Sequence, residues 1–129
     1  MPYINVKVAG LQVDAAQVAA LQRGITSLIV EALDKQASLV ALVVETVPLA
    51  HWSIGGAAVP CAAHVEATVS DGTNTAAQKA QFIARTHALL RDVLGAALPL
   101  ATYVVIHGLP RDTWGYGGLT QAARIAVHV

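Results

Sequence analysis

The segment HWSIGG (His51–Gly56) returns as TWGYGG (Thr113–Gly118), with Trp52 and Trp114 standing 62 positions apart. Pro48 and Pro110 are separated by the same 62 positions, and the stretches leading to them, VALVVETVP and TYVVIHGLP, fall in nearly the same register. GITSLIVEALD (Gly24–Asp34) corresponds to RTHALLRDVLG (Arg85–Gly95) at an offset of 61, so one residue is inserted between helix and strand. A chain of 129 residues with such an internal match is a tandem duplication of one unit of roughly sixty residues. The expected organisation is a single domain, residues 1–129, made of a first unit, 1–61, and a second, 62–129.

Each unit reads strand, helix, strand, turn. Pro2, Ile4, Val6 and Val8 alternate with Tyr3, Asn5 and Lys7, the period of a strand with two unlike faces. Asp14 with Gln17, and Thr75 with Gln78, have the spacing of capping boxes at helix starts. Behind the first cap, Val18, Leu21, Ile25, Leu28, Ile29 and Leu33 form an apolar helical stripe; Phe82, Leu89, Leu90 and Leu94 do so behind the second. Leu39–Val47 is β-branched and almost continuously apolar, as a strand buried on both faces would be. Strands are expected also near His64–Val69 and Thr102–Ile106. Strand–helix–strand crossovers are right-handed and pair their strands in parallel. The fold class is therefore α/β (α+β): one four-stranded sheet with both helices on one face. The other face is expected to be bare and apolar.

Composition points the same way. Charged residues make up 12% of the chain, against about 25% in ordinary domains, and mean hydropathy is +0.55. A small domain has much surface for its volume, so apolar surface must be hidden elsewhere. A membrane span does not fit. The best uncharged run, Val93–Pro110, is broken by Gly95, Pro99, His107 and Gly108 and falls short of the ~20 residues a span needs. The N-terminus lacks the basic and apolar regions of a secretory signal. A homo-oligomer is expected instead. Eight Lys and Arg balance eight Asp and Glu, which gives no basic patch for nucleic acid. Cys61, the single cysteine, excludes an internal disulfide and fits a reducing cytoplasm. His51, His64, His87, His107 and His128 are scattered without metal-ligand spacing, and the GYGG glycines open no helix as a dinucleotide loop would. Neither metal nor cofactor is expected.

Taken together, PYINVKV, the capped helix, VALVVETVP and HWSIGG resemble the 4-oxalocrotonate tautomerase family of the tautomerase superfamily. AAQKAQFIARTHALLRDVLG, YVVIHGLP and WGYGG resemble it again, so the chain is similar to the family's fused, tandem-duplicated form. The resemblance implies a subunit of two β-α-β units, three of which form a ring. It also implies a mechanism in which removal of Met1 frees the Pro2 amine to act as general base. The reaction would be keto–enol conversion of a small 2-oxo acid or enol. An α-amine ordinarily titrates at about 7.7–8.0, and an apolar pocket disfavours its charged form, so it stands partly unprotonated near neutral pH. Trp52 and Trp114 match the aromatic position that lines the family's pocket.

The chain also departs from the pattern. Neither of two arginines that hold substrate carboxylates in the best-known members has a counterpart: no cation lies within Leu11–Val13 or Leu39–Val44, nor at Thr73–Asn74 or Thr102–Ile106. Arg111, two residues before TWGYGG, is a candidate at a pocket mouth. Ala63 or His64 takes the place of Pro2 in the second unit, and His64 is a candidate acid or base there. Two alternatives stay open. One is a proline-dependent hydratase or dehalogenase, for which Glu45 and Glu66 are the strand carboxylates available to activate water. The other is a non-catalytic trimeric binding or assembly protein.

Overall fold

The computed structural model describes residues 2–10 and 13–127. The first half comprises β1 (Tyr3–Gly10), α1 (Ala15–Leu33), β2 (Ala41–Thr46) and a small hairpin of β3 (Ser53–Ile54) and β4 (Ala57–Ala58). The second repeats it with β5 (Cys61–Ser70), α2 (Ala76–Leu94), β6 (Tyr103–Leu109) and the hairpin β7 (Gly115–Tyr116) and β8 (Leu119–Thr120). A short α3 (Gln121–Val127) follows. The two long helices match at an offset of 61 and the hairpins at 62. The extra residue therefore lies in the helix-to-strand loop of the second half, Gly95–Thr102 against Asp34–Val40.

Both caps form as the spacing predicts: Asp14 and Thr75 each accept from the backbone N–H three residues on, and Gln17 and Gln78 reach back to the cap N–H. The strands order β2-β1-β5-β6 in one sheet. Pairing is parallel within each half, Tyr3 with Ala41 and His64 with Tyr103, and antiparallel at the central seam, where Val6 faces Val65. Ile4, Val6 and Val8 of β1, with Val65, Ala67 and Val69 of β5, meet Leu21, Ile25, Ile29 and Leu33 of α1 and Phe82 and Leu90 of α2 in one core cluster. The helices pack closely at Gly24, where a Cβ would come within 2.7 Å of Leu89 Cδ2. Glycine costs a helix interior about 1 kcal/mol, and here it gives room to the facing leucine.

Three expectations are corrected. The strand expected over Leu39–Val47 is shorter, because Ala37–Leu39 is a 3₁₀ turn, and of its apolar run Val40, Leu42 and Val44 pack on the core. β5 begins earlier and β6 ends later than expected. The helix-free face is bare, as expected, but it is not apolar. The same alternation that buries Ile4, Val6 and Val8 sends Tyr3, Asn5 and Lys7 to the other side, in register with His64, Glu66 and Thr68 and with Tyr103 and His107. Among the described residues, no helix is long and apolar enough to cross a membrane.

Ile4 is fully buried, so Ile4→Ala should cost about 2–5 kcal/mol through the cavity it leaves. Thr75→Ala, which removes a cap but no core volume, should cost about 1 kcal/mol. Urea denaturation of the two variants beside the wild type measures both.

Candidate active site

The antiparallel seam gives the sheet two unlike ends. β1 and β2 start where β5 and β6 finish, so Pro2, the α1–β2 loop, the β5–α2 loop and the TWGYGG segment gather at one end. Pro2 is buried, and its carbonyl accepts the Ala41 N–H at 3.3 Å. Met1 lies outside the described residues.

Several contacts knit this end together. Asn74 Nδ2 donates to the Leu33 carbonyl at 2.8 Å and to Gln78 Oε1 at 3.1 Å, tying the end of α1 to the start of α2. Lys35 Nζ donates to Thr73 Oγ1 at 3.0 Å, and that hydroxyl donates in turn to the Ser70 carbonyl at 2.7 Å. Burial pulls the Lys35 ammonium below its usual range; Asp34 partly opposes this, and repulsion from Arg111 adds to it. The Arg111 side chain is exposed, while its carbonyl accepts the Ala122 N–H at 3.0 Å. Thr113 holds the turn by donating N–H and Oγ1 to the Pro110 carbonyl.

Trp114 is half-buried beside a recess of about 310 Å³ lined also by Asp112, Thr113 and Leu119. Its indole N–H is buried without a hydrogen-bond partner. Arg124 covers the Tyr116 ring at 3.8 Å and donates Nε and Nη2 to the Tyr116 carbonyl, so α3 clamps the TWGYGG turn.

Register settles what stands in Pro2's place in the second half. His64 pairs with Tyr103 as Tyr3 pairs with Ala41, so His64 is the counterpart of Tyr3 and Ala63 that of Pro2. Ala63 is buried within a continuous strand. His64 faces away from the helices, with Nε2 2.8 Å from Glu66 Oε1, and His107 Nε2 approaches the other carboxylate oxygen at 3.6 Å. The His64 hydrogen bond, helped by the nearby His107 and Lys7, holds the Glu66 carboxyl below the usual glutamate range. Glu45 accepts from Asn5 Nδ2 at 3.4 Å. His64, Glu66 and Glu45 thus belong to the helix-free face and are not gathered at the Pro2 end.

Trp52 lies at the opposite end, following β2. The eight residues of β1 at roughly 3.3 Å each separate the two ends by about 25 Å, so Trp52 and Pro2 share no pocket within one chain. A wider cavity, about 710 Å³, also opens at that far end, lined by Gly10, Asp14, Cys61 and Asp92. Burial pushes the Cys61 thiol up, which disfavours the reactive thiolate. Of the positions lacking arginine, Leu11 and Gln12 lie outside the described residues. Lys35 and Thr73 are the residues the sequence did not single out: their contact spans 38 positions and follows no local pattern.

Comparison with known proteins adds to this geometry. The family profile described as Tautomerase enzyme matches residues 2–60 and again 64–124, the second match beginning just past Ala63. A curated relative, Probable tautomerase K2 of Dickeya dadantii (strain 3937), is 32% identical over 59 residues, spanning 46% of this chain and 88% of the relative. A solved structure described as native fused 4-OT superposes with a TM-score of 0.82 at 27% identity, covering 94% of this chain and 97% of its own. Another, described as an F6 fused 4-OT wild-type asymmetric trimer, superposes with a TM-score of 0.80 at 27% identity, covering 93% and 98%.

The Glu66 cluster has a definite pH signature. A carboxyl whose pKa is depressed by folding contributes stability above its unfolded value, and that contribution is lost as pH falls through the folded value. The stability difference between wild type and Glu66→Gln should therefore shrink as pH falls below the ordinary glutamate value of 4.5. Thermal midpoints of both proteins across pH 3–7 check this.

Proposed function

This chain belongs to the tautomerase family, and from that premise we propose that it is a proton-transferring isomerase with the Pro2 amine as general base. Removal of Met1 exposes the amine. The amine takes a proton from the enol hydroxyl of a small 2-oxo acid, the enol electrons reorganise towards the carbonyl form, and the ammonium returns the proton to carbon. No net proton or electron is gained, so neither metal nor cofactor is required for balance.

One observation carries the reading: Pro2 is buried at the head of β1 and fixed through its carbonyl to Ala41. Burial disfavours the ammonium and keeps part of the amine free near neutral pH, where a base works best. A frayed terminus would offer neither the environment nor the fixed position. Trp114 and Arg111 share the Pro2 end and are assigned to the substrate pocket of the same protomer. Trp52, at the far end, reaches a proline only across a subunit boundary.

The assembly is proposed to be a homotrimer, the state named for the F6 fused relative. Two features of the chain support burial between subunits: β2 and β6 leave open sheet edges, and Leu100 (97% exposed) and Tyr103 (66%) present bare apolar surface. With its lone Cys61 kept as a thiol, the protein is assigned to a reducing cytoplasm. The hydratase alternative loses ground, because Glu45 and Glu66 are engaged on the helix-free face.

Two measurements test the proposal. The intact mass of untagged protein should fall short of the full sequence by one methionine. Pro2→Ala should then lower kcat/KM for ketonisation of 2-oxo acid enols by about 10²–10⁴-fold, with the circular dichroism spectrum unchanged. Wild-type rates in Pro2→Ala would overturn the base assignment, and retention of Met1 with no turnover in the wild type would shift the assignment to a binding or assembly role.

A further inference from the structure

We propose that Arg124 is a positioning residue for the substrate pocket: by holding the TWGYGG turn it fixes the Trp114 indole beside the recess at the Pro2 end, and so favours a flat aromatic substrate over a small one. That Trp114 faces substrate rests on the reading of Pro2 given above; that Arg124 holds Trp114 rests on contacts within the turn.

Those contacts converge on three carbonyls. Between Arg111 and Tyr116, α3 takes the carbonyls of Arg111, Trp114 and Tyr116. The Ala122 N–H donates to the first at 3.0 Å and the Gln121 N–H to the second at 3.0 Å. The Arg124 guanidinium donates to the third, through Nε at 3.1 Å and Nη2 at 2.9 Å. The first two are backbone bonds. The third depends on the side chain of one residue.

Arg124 also lies 3.8 Å from the centroid of the Tyr116 ring, so one planar group grips both the ring and the carbonyl of Tyr116. Gly117 makes the room, because a Cβ there would collide with the guanidinium. Arg124 is half-buried, and among the described residues it has no carboxylate within ion-pair distance, so its charge is spent on the turn. The short strand β7 joins Tyr116 to Gly115, the neighbour of Trp114, so fixing Tyr116 limits where the indole can go. The indole lines the recess of about 310 Å³ together with Leu119.

The duplication shows that this brace belongs to one half only. At the offset of 62, Tyr116 corresponds to Ile54, Ala122 to Pro60 and Arg124 to Ala62. Isoleucine offers no aromatic face, proline has no N–H to donate, and Ala62 is buried within β5. The left-handed glycine is common to both turns, Gly55 at φ 60° and Gly117 at φ 59°. Yet nothing lies within 4 Å of where a side chain on Gly55 would stand. A device needed only for the turn to fold would be expected twice. It occurs once, at the end of the sheet that carries Pro2.

The test reads binding and the indole, so it needs no turnover. Trp52→Phe is the parent of every protein compared, which leaves Trp114 as the sole tryptophan. Dissociation constants for phenylpyruvate and pyruvate are measured by calorimetry, and acrylamide quenching reports the exposure of Trp114. Arg124→Met removes the charge and the donors. It should raise quenching, leave the circular dichroism spectrum unchanged and cut the preference for phenylpyruvate over pyruvate by up to about ten-fold, the scale of one aromatic contact. Arg124→Lys, which keeps a cation and a donor, should restore most of that preference. If Arg124→Met does not fold, Tyr116→Leu, which removes the ring and keeps the carbonyl, carries the same test with a smaller effect. An unchanged preference, or no preference in the parent, would overturn the inference, even where the thermal midpoint falls. Pro2→Ala separates it from the base assignment. Loss of turnover with the preference intact leaves both standing; if turnover persists with the preference intact, the positioning role stands and the base assignment falls.

Discussion

The antiparallel ladder between β1 and β5 is the constraint on which the rest of the molecule depends. Each half already closes its own parallel pair around a crossover helix, but neither helix has enough sheet beneath it to bury its stripe. Pairing the two first strands puts Val6 opposite Val65 and lets both helices share one core. Because that pairing is antiparallel, the beginning of the first half meets the end of the second. The head of the chain, the close of α1 and the exit from β6 converge as a result, and residues far apart in sequence, such as Lys35 and Thr73, come into contact. Had the halves joined in parallel, the Pro2 end would have been built from one kind of loop alone.

The two faces of the sheet show how little charge the fold needs, and where it goes. Among the described residues, the helix side holds no fully buried charged side chain. The opposite side concentrates Lys7, Glu45, His64, Glu66 and His107 across four strands. Such half-exposed pairs contribute little to stability.

Much of this was legible in the chain because it is local. Capping boxes at Asp14 and Thr75, the helical stripes, the alternation in β1 and the repeat itself each depend on residues within a few turns of one another. What resisted reading depends on register across the seam. Whether Ala63 or His64 replaces Pro2 is a question of one residue, and only the pairing of His64 with Tyr103 answers it. The polarity of the free face was half visible, since Tyr3, Asn5 and Lys7 alternate plainly, but their alignment with His64, Glu66 and His107 joins distant segments. Lys35 looked like any cation after a helix, because nothing nearby in sequence signals the Thr73 hydroxyl or the Arg111 charge.

The presence of Ala63 at Pro2's counterpart has an evolutionary consequence. A lost side chain can return through a single codon change, but a chain terminus cannot. No substitution at position 63 creates a free amine there, and a backbone cut at that point would sever β5 where Ala63 pairs with Val8 in the central ladder. Gene fusion thus acts as a ratchet. Once two units share one polypeptide, the second can drift in sequence, acquire a new pocket or fall silent, but it cannot regain a chain terminus by point mutation.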